Sequence, residues 1–219
     1  MTISPLANYT ILTEHCGERG GAAIDTVTIH CLVGQATAKE IGQYFRDTKD
    51  DVSCNYGIGK DGNIVCCVPE ERRSWCSSNR ANDARAITIE VASDKTEPYA
   101  VTGAAYNSLI SLLVDICKRN GIDGLRWLNN PLYIGRPEMQ NMTVHRWFAN
   151  KSCPGEYLFS RMGEIAATVN SRLAETGKKW YRVQVGAFRV KENAERFRDK
   201  LKEIGIDCFI VESEYYCRG

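Results

Sequence analysis

The sequence is poor in the residues that most metal and proton chemistry requires: it has three histidines, His15, His30 and His145. It also lacks a strong net charge, with Lys+Arg 28 against Asp+Glu 27 and a formal charge of +1. That balance removes the bulk electrostatic case for a nucleic-acid partner. No C-x-x-C occurs among the ten cysteines, so a zinc-ribbon or thioredoxin-like arrangement has little support. No apolar run reaches transmembrane length, so membrane insertion is not expected. The segment Met1-Thr2-Ile3-Ser4-Pro5 has neither a basic region nor a long apolar run, and so does not read as a signal peptide. A chain made in the cytoplasm keeps its thiols reduced, so most cysteines are expected to be free and buried. Cys66 and Cys67 alternate along a strand, so at most one of them should face the core.

Against that background one stretch is dense in chemistry. Thr143-Val144-His145-Arg146-Trp147-Phe148-Ala149-Asn150-Lys151-Ser152-Cys153-Pro154-Gly155 holds an imidazole, an ammonium and a thiol within nine residues. Thiolate and imidazole are strong zinc ligands, and the two can meet one ion if the segment loops back. A third ligand must come from elsewhere. His30 ends the strand pattern Thr26-Val27-Thr28-Ile29-His30, where a sheet would hold it firmly. The expectation is one Zn²⁺ on His30, His145 and Cys153, with water in the fourth position. His15-Cys16 is the rival pair, but it lies in a Gly-rich loop with no rigid element beneath it.

Patterning predicts an α/β fold. Residues 25–33 form a near-continuous apolar strand, as expected for one covered on both faces. Thr37-Ala38-Lys39-Glu40 is a capping box that opens a helix to about Arg46. Cys54–Lys60 and Asn63–Val68 form strands joined by an Asp61-Gly62 turn. Pro69–Cys76 leaves the sheet as a loop. Ala86–Ala92 is a buried strand with one acid in it, and Glu90 is expensive to bury there unless it has a partner or a job. Thr102 opens the longest helix, which Gly121 ends. Residues 1–24 and 122–142 read mostly as loop. Pro154 suits the first position of the last helix of this part, whose buried face is Leu158, Met162, Ile165 and Val169.

Taken in order, Thr28-Ile29-His30, Val52-Ser53-Cys54-Asn55-Tyr56-Gly57-Ile58-Gly59-Lys60-Asp61-Gly62, Ile87-Thr88-Ile89-Glu90-Val91 and the His145–Gly155 stretch resemble the zinc-dependent N-acetylmuramoyl-L-alanine amidases of the phage-lysozyme and peptidoglycan-recognition type. The resemblance covers roughly residues 7–173. It implies a central mixed sheet flanked by helices. It also implies hydrolysis of the amide between N-acetylmuramic acid and the L-alanine of the peptidoglycan stem peptide, with cell-wall lysis as the outcome. Glu90 is assigned as general base and Lys151 as the group that stabilises the oxyanion, matching residues in the family. Asn55 would hydrogen-bond substrate. Trp75 would cover a sugar or peptide face, or serve as a core tryptophan. Cys54 stands where some members carry a catalytic tyrosine and Cys76 where many carry a histidine, so tyrosine-assisted chemistry is not expected. The rival function is a non-catalytic peptidoglycan-recognition module; members that only bind typically lack the cysteine ligand, which Cys153 supplies here.

Residues 172–179 lose periodicity and gain charge, and set boundaries at 1–173 for the catalytic domain, 174–179 for a linker and 180–219 for a second unit. From Lys178 onward ten Lys and Arg face seven Asp and Glu. The second unit reads as strand Trp180–Gly186, helix Lys191–Ile204 and strand Asp207–Val211, a small βαβ. Tyr181-Arg182-Val183-Gln184-Val185-Gly186-Ala187-Phe188 with Asn193-Ala194-Glu195 resembles the sporulation-related repeat, which binds peptidoglycan glycan strands. About forty residues are roughly half the usual unit and too few for a self-sufficient core, so a homodimer through this unit is expected. The whole resembles a phage endolysin, made in the host cytoplasm and reaching the wall after holin-type release, with a bacterial autolysin or a prophage-encoded copy as the alternative.

Overall fold

The eight-residue runs Thr26–Val33 and Ala86–Ser93 are rich in β-branched side chains, and each is a strand in the computed structural model, which describes residues 1–176 and 184–212. In chain order the strands are β1 (Tyr9–Thr10), β2 (Cys16–Glu18), β3 (Thr26–Val33), β4 (Tyr56–Ile58), β5 (Ile64–Cys66), β6 (Arg72–Ser74), β7 (Ala86–Ser93) and β8 (Met142–Val144). The helices are α1 (Ala38–Asp47), α2 (Arg80–Arg85), α3 (Gly103–Asn120), α4 (Gly155–Phe159), α5 (Met162–Thr176) and α6 (Lys191–Glu203). Contacts divide the chain into two units, Met1–Lys178 and Lys179–Gly219.

In the first unit six strands form one mixed sheet in the order β1-β5-β4-β7-β3-β8, with only the β4–β5 pair antiparallel. β2 and β6 form a separate antiparallel ribbon. The sheet has a core on each face. Val27, Ile29, Ile87, Ile89 and Val91 point at α3 and α5, where Leu109, Leu113, Ile116, Ile165 and Val169 are buried. Ala92, Val65 and Cys67 point the other way, at Ile41 and Phe45 of α1. Burying each such aliphatic side chain contributes about 1.5–3 kcal/mol, so α3 alone is held by several of them. Cys66 and Cys67 are both buried, one in each core, because both faces of the sheet are covered. That corrects the expectation that at most one would be inside.

Local signals end the helices where the sequence says. The Thr37 hydroxyl accepts from the Glu40 N–H while the Glu40 carboxylate accepts from the Thr37 N–H, closing the capping box of α1. Gly121 takes the left-handed turn that stops α3. Five short elements were missed, β1, β2, β6, α2 and β8, because two to six residues are too few for periodicity to show. The last helix of the unit runs through Thr176, so residues 174–176 continue α5 rather than beginning a linker. Pro154 caps α4 from outside, and the helix starts at Gly155.

In the second unit the described residues contain α6 and no strand. Residues 184–186 and 207–211 form no strand, contrary to expectation; residues 180–183 lie outside the described part. No residue of α6 is buried. Among the described residues of the whole chain, no helix is long and apolar enough to cross a membrane.

Candidate metal centre

β3 looks uniformly apolar but is two-faced. Val27 and Ile29 enter the α3–α5 core, while Thr28 and His30 point to the opposite side. Register then assembles the site. On one flank of β3, His30 pairs with Glu90 of β7. On the other flank Ile29 pairs with Val144, the last residue of β8, so His145 follows one step beyond. Cys153 arrives from the loop after β8. The result is one nitrogen from His30, one from His145 and the sulfur of Cys153, all within 4.8 Å of one another. His30 Nδ1 lies 3.4 Å from Cys153 Sγ. Ligands on a tetrahedral zinc shell stand roughly 3.3–3.7 Å apart, so this pair already has the spacing that zinc needs. The two imidazoles meet edge to face with centroids 5.0 Å apart.

Electrostatics suits a cation. Burial, with the neighbouring His145, pushes His30 down to about 3, and His30 therefore stays neutral. Burial also lowers His145, and the Lys151 charge lowers it further. The Nε2 of His30 is buried without a partner. The Cys31 thiol beside Cys153, and burial, hold the Cys153 thiol well above its usual range in the absence of a cation. The Cys31 N–H donates to Cys153 Sγ at 3.4 Å, an arrangement that favours the thiolate once a cation is near.

Glu90 is the acid of the site. Its Oε1 lies 3.8 Å from His30 Nδ1 and accepts from the Cys76 thiol at 3.7 Å, while Oε2 is buried and unpartnered. Burial first, and then the nearby Cys31 thiol, raise it to about 8. His30, Cys76 and Glu90 form a second metal-compatible group that overlaps the first at His30. Lys151 is exposed, on the loop between His145 and Cys153.

Two expected site residues are placed differently. Asn55 is buried and wholly engaged: its Nδ2 donates to the carbonyls of Val68, Pro69 and Arg72, and its Oδ1 accepts from Thr88. It ties β4 to β7 and the β5–β6 turn, and has no free group for substrate, which corrects the expected substrate contact. Trp75 is half-buried, edge-on to His15 at 6.0 Å, with the Arg73 guanidinium 6.0 Å from its ring. The rival pair is occupied elsewhere: His15 Nε2 contacts the Thr48 carbonyl at 3.1 Å. Cys54 is a core residue beneath α1.

Sequence reasoning missed the scaffold around these groups. The buried carboxylate of Asp83 accepts from the Cys76 and Ser77 N–H groups at 3.0–3.2 Å. Asn82 donates to Thr28 and Ser77 and accepts from Thr143. Ser78 Oγ lies 3.1 Å from His145 Nε2. The Asn79-x-x-Asn82 spacing, which caps α2, was the one available signal.

Comparison with known proteins follows the same lines. The profile of the family described as N-acetylmuramoyl-L-alanine amidase matches residues 20–156, and that of the SPOR domain matches residues 161–212. The second match starts on α5, whose Ile165 and Val169 belong to the core of the first unit. No curated protein matches the chain by sequence. Among solved structures, AmpD matches with TM-score 0.54 and 21% identity over 76% of this chain and 99% of its own. The endolysin amidase LysCS from Clostridium intestinale URNW matches with TM-score 0.51 and 20% identity over 75% of this chain and 97% of its own. Drosophila peptidoglycan recognition protein SA matches with TM-score 0.52 and 14% identity over 71% and 90%. These likenesses establish the fold: a mixed sheet flanked by helices.

Proposed function

The chain belongs to the N-acetylmuramoyl-L-alanine amidase family, and from that premise we propose that its peptidoglycan amide hydrolysis is zinc-dependent, with the ion held by His30, His145 and Cys153. One observation carries the reading: three donors from three separate segments converge beside a buried acid on the neighbouring strand. The open donor set suits a catalytic rather than a structural ion, since structural zinc is normally closed by four protein ligands.

An amide resists hydrolysis because water is a poor nucleophile and the developing oxyanion needs stabilising. Zinc, when bound, supplies acidity to a coordinated water and polarises the carbonyl. The remaining work falls to the chain. His30 and His145 enter as neutral imidazoles because burial holds them so. Glu90, whose carboxyl burial raises in the metal-free protein, is assigned to take the proton of the attacking water once a bound cation favours its ionised form, and to return it to the leaving amine. Lys151 is assigned to the oxyanion, where its positive charge would count most in the transition state.

The bond cleaved is the one between N-acetylmuramic acid and L-alanine. Mass spectrometry of purified sacculi after digestion, together with metal analysis of the enzyme, tests both halves. Muramic acid freed of its stem peptide is expected, with one zinc per chain; glycosidase or endopeptidase fragments would overturn the bond assignment. The second reading is a module that only binds peptidoglycan, as the recognition-protein likeness suggests; the presence of Cys153 at the donor cluster speaks against it.

The second unit is assigned to wall attachment and to pairing of two copies, supported by the SPOR match and by its uncovered apolar residues. Free cysteines throughout the described residues support synthesis in a reducing compartment, with later access to the wall through a holin-type lesion.

A further inference from the structure

The segment 76–79 is held with unusual care for a surface loop. Asp83 accepts from two of its N–H groups, and Asn82 holds Ser77 against Thr28 of β3 and Thr143 of β8. Within it Ser78 has φ 61°, a left-handed conformation that a serine rarely adopts. Strain of this kind persists only where the surroundings enforce it, and it clusters at functional sites. The outcome of the strain is visible: the Ser78 side chain reaches the His145 ring.

A neutral imidazole carries one proton, on Nδ1 or on Nε2, and only the bare nitrogen can bind a metal. We propose that Ser78 is a positioning residue for His145: its Oγ accepts the Nε2–H at 3.1 Å, and this turns the bare Nδ1 to the ion. The reverse arrangement, with the hydroxyl donating to Nε2, would put the proton on Nδ1 and remove His145 from the donor set. Outer partners of this kind fix the ring and raise its basicity. The role rests on the reading of His145 as a zinc ligand, but the tautomer itself exists with or without metal. The same segment carries Cys76, whose thiol touches Glu90, so one clamped loop orients a ligand on one side and meets the base on the other.

The test compares the full-length wild type with Ser78→Gly and Ser78→Asn. Glycine loses the oxygen but is at ease at positive φ, so the fold should be no less stable. Asparagine also tolerates this backbone and brings an acceptor oxygen of its own. Nitrogen NMR of the His145 ring in metal-free protein should show the Nε2–H tautomer in the wild type, a mixture in Ser78→Gly, and recovery in Ser78→Asn. Zinc affinity from competition with a chelator should fall about 10–100-fold in Ser78→Gly and largely return in Ser78→Asn. Unchanged zinc affinity in Ser78→Gly, or an Nδ1–H tautomer in the wild type, overturns the proposal. A wild type that binds no zinc while its tautomer still follows residue 78 overturns the zinc reading alone and supports the lock on His145.

Discussion

Glu90 sits on β7 with one oxygen near His30 and the Cys76 thiol and the other without a partner. Its folded value of about 8 lies above that of an unfolded carboxylate. A raised acid gives stability that is fully present below the unfolded value and lost as pH rises towards the folded one. Metal-free protein should therefore weaken between roughly pH 4.5 and pH 8, by about 1.4 kcal/mol per unit at most. Glu90→Gln removes that loss. In urea denaturation of zinc-stripped protein, the variant should gain on the wild type by a few kcal/mol between pH 5 and pH 8. An equal difference at both pH values would mean that the acid is not held protonated. With zinc restored, the same variant should keep metal and fold but lose about 10²–10⁴-fold in rate, since the base is gone and the ligands remain. Near-normal lysis would place the base elsewhere. Cys153→Ala should lose zinc outright in metal analysis. Full retention would point to the overlapping group of His30, Cys76 and Glu90 as the ion's holder.

At the scale of elements, the site depends on how β3, β7 and β8 are locked in register, and Asn82 is the bolt. Its side chain joins Thr28 of β3 to Thr143 of β8 and to Ser77 of the loop. Removing it takes three buried hydrogen bonds, to Thr28, Ser77 and Thr143, each contributing about 0.5–1.5 kcal/mol, while the Thr28 and Thr143 hydroxyls keep the bond between them. Asn82→Ala should therefore lower stability in chemical denaturation by about 3 kcal/mol, and it should weaken zinc binding as well, because the loop that meets His145 and Glu90 loses an anchor. A loss of stability with zinc affinity untouched would show that the sheet alone orients the ligands. The same elements show what patterning misses. The Ala86–Ser93 strand and the α3 stripe were legible because eight and eighteen residues carry a clear period. β8, three residues long, was read as part of a loop, though it places His145.

For the whole molecule, the second unit raises a question of burial. Among its described residues Val185, Phe188, Val190, Ile204, Ile206, Phe209, Ile210 and Val211 are exposed, and the rings of Phe188 and Phe197 meet with centroids 5.4 Å apart. So little burial cannot offset the entropy of ordering some forty residues, roughly 1.5 kcal/mol for each. Pairing of two copies would cover these side chains and give each assembly two attachments to the wall. Light scattering at tens of micromolar should show a dimer for the full chain and a monomer for a chain truncated after Thr176. A full-length monomer would end the dimer proposal.

The sequence by itself determined the donor types and their segments. His30, His145, Cys153 and Glu90 could be named from strand ends, a His–Cys spacing and one costly acid, because burial of polar groups leaves few explanations. It also determined the capping box at Thr37, the stop at Gly121 and the apolar faces, all of which are local. The tertiary structure decided what depends on contact between distant segments. It spent Asn55 on holding strands together, put both Cys66 and Cys67 inside, left residues 184–186 and 207–211 out of any strand and hung Ser78 against His145. The physical reason is that hydrogen bonds and register are pairwise: a residue's partner lies on another strand, and no periodicity along one strand can say which group will stand beside it.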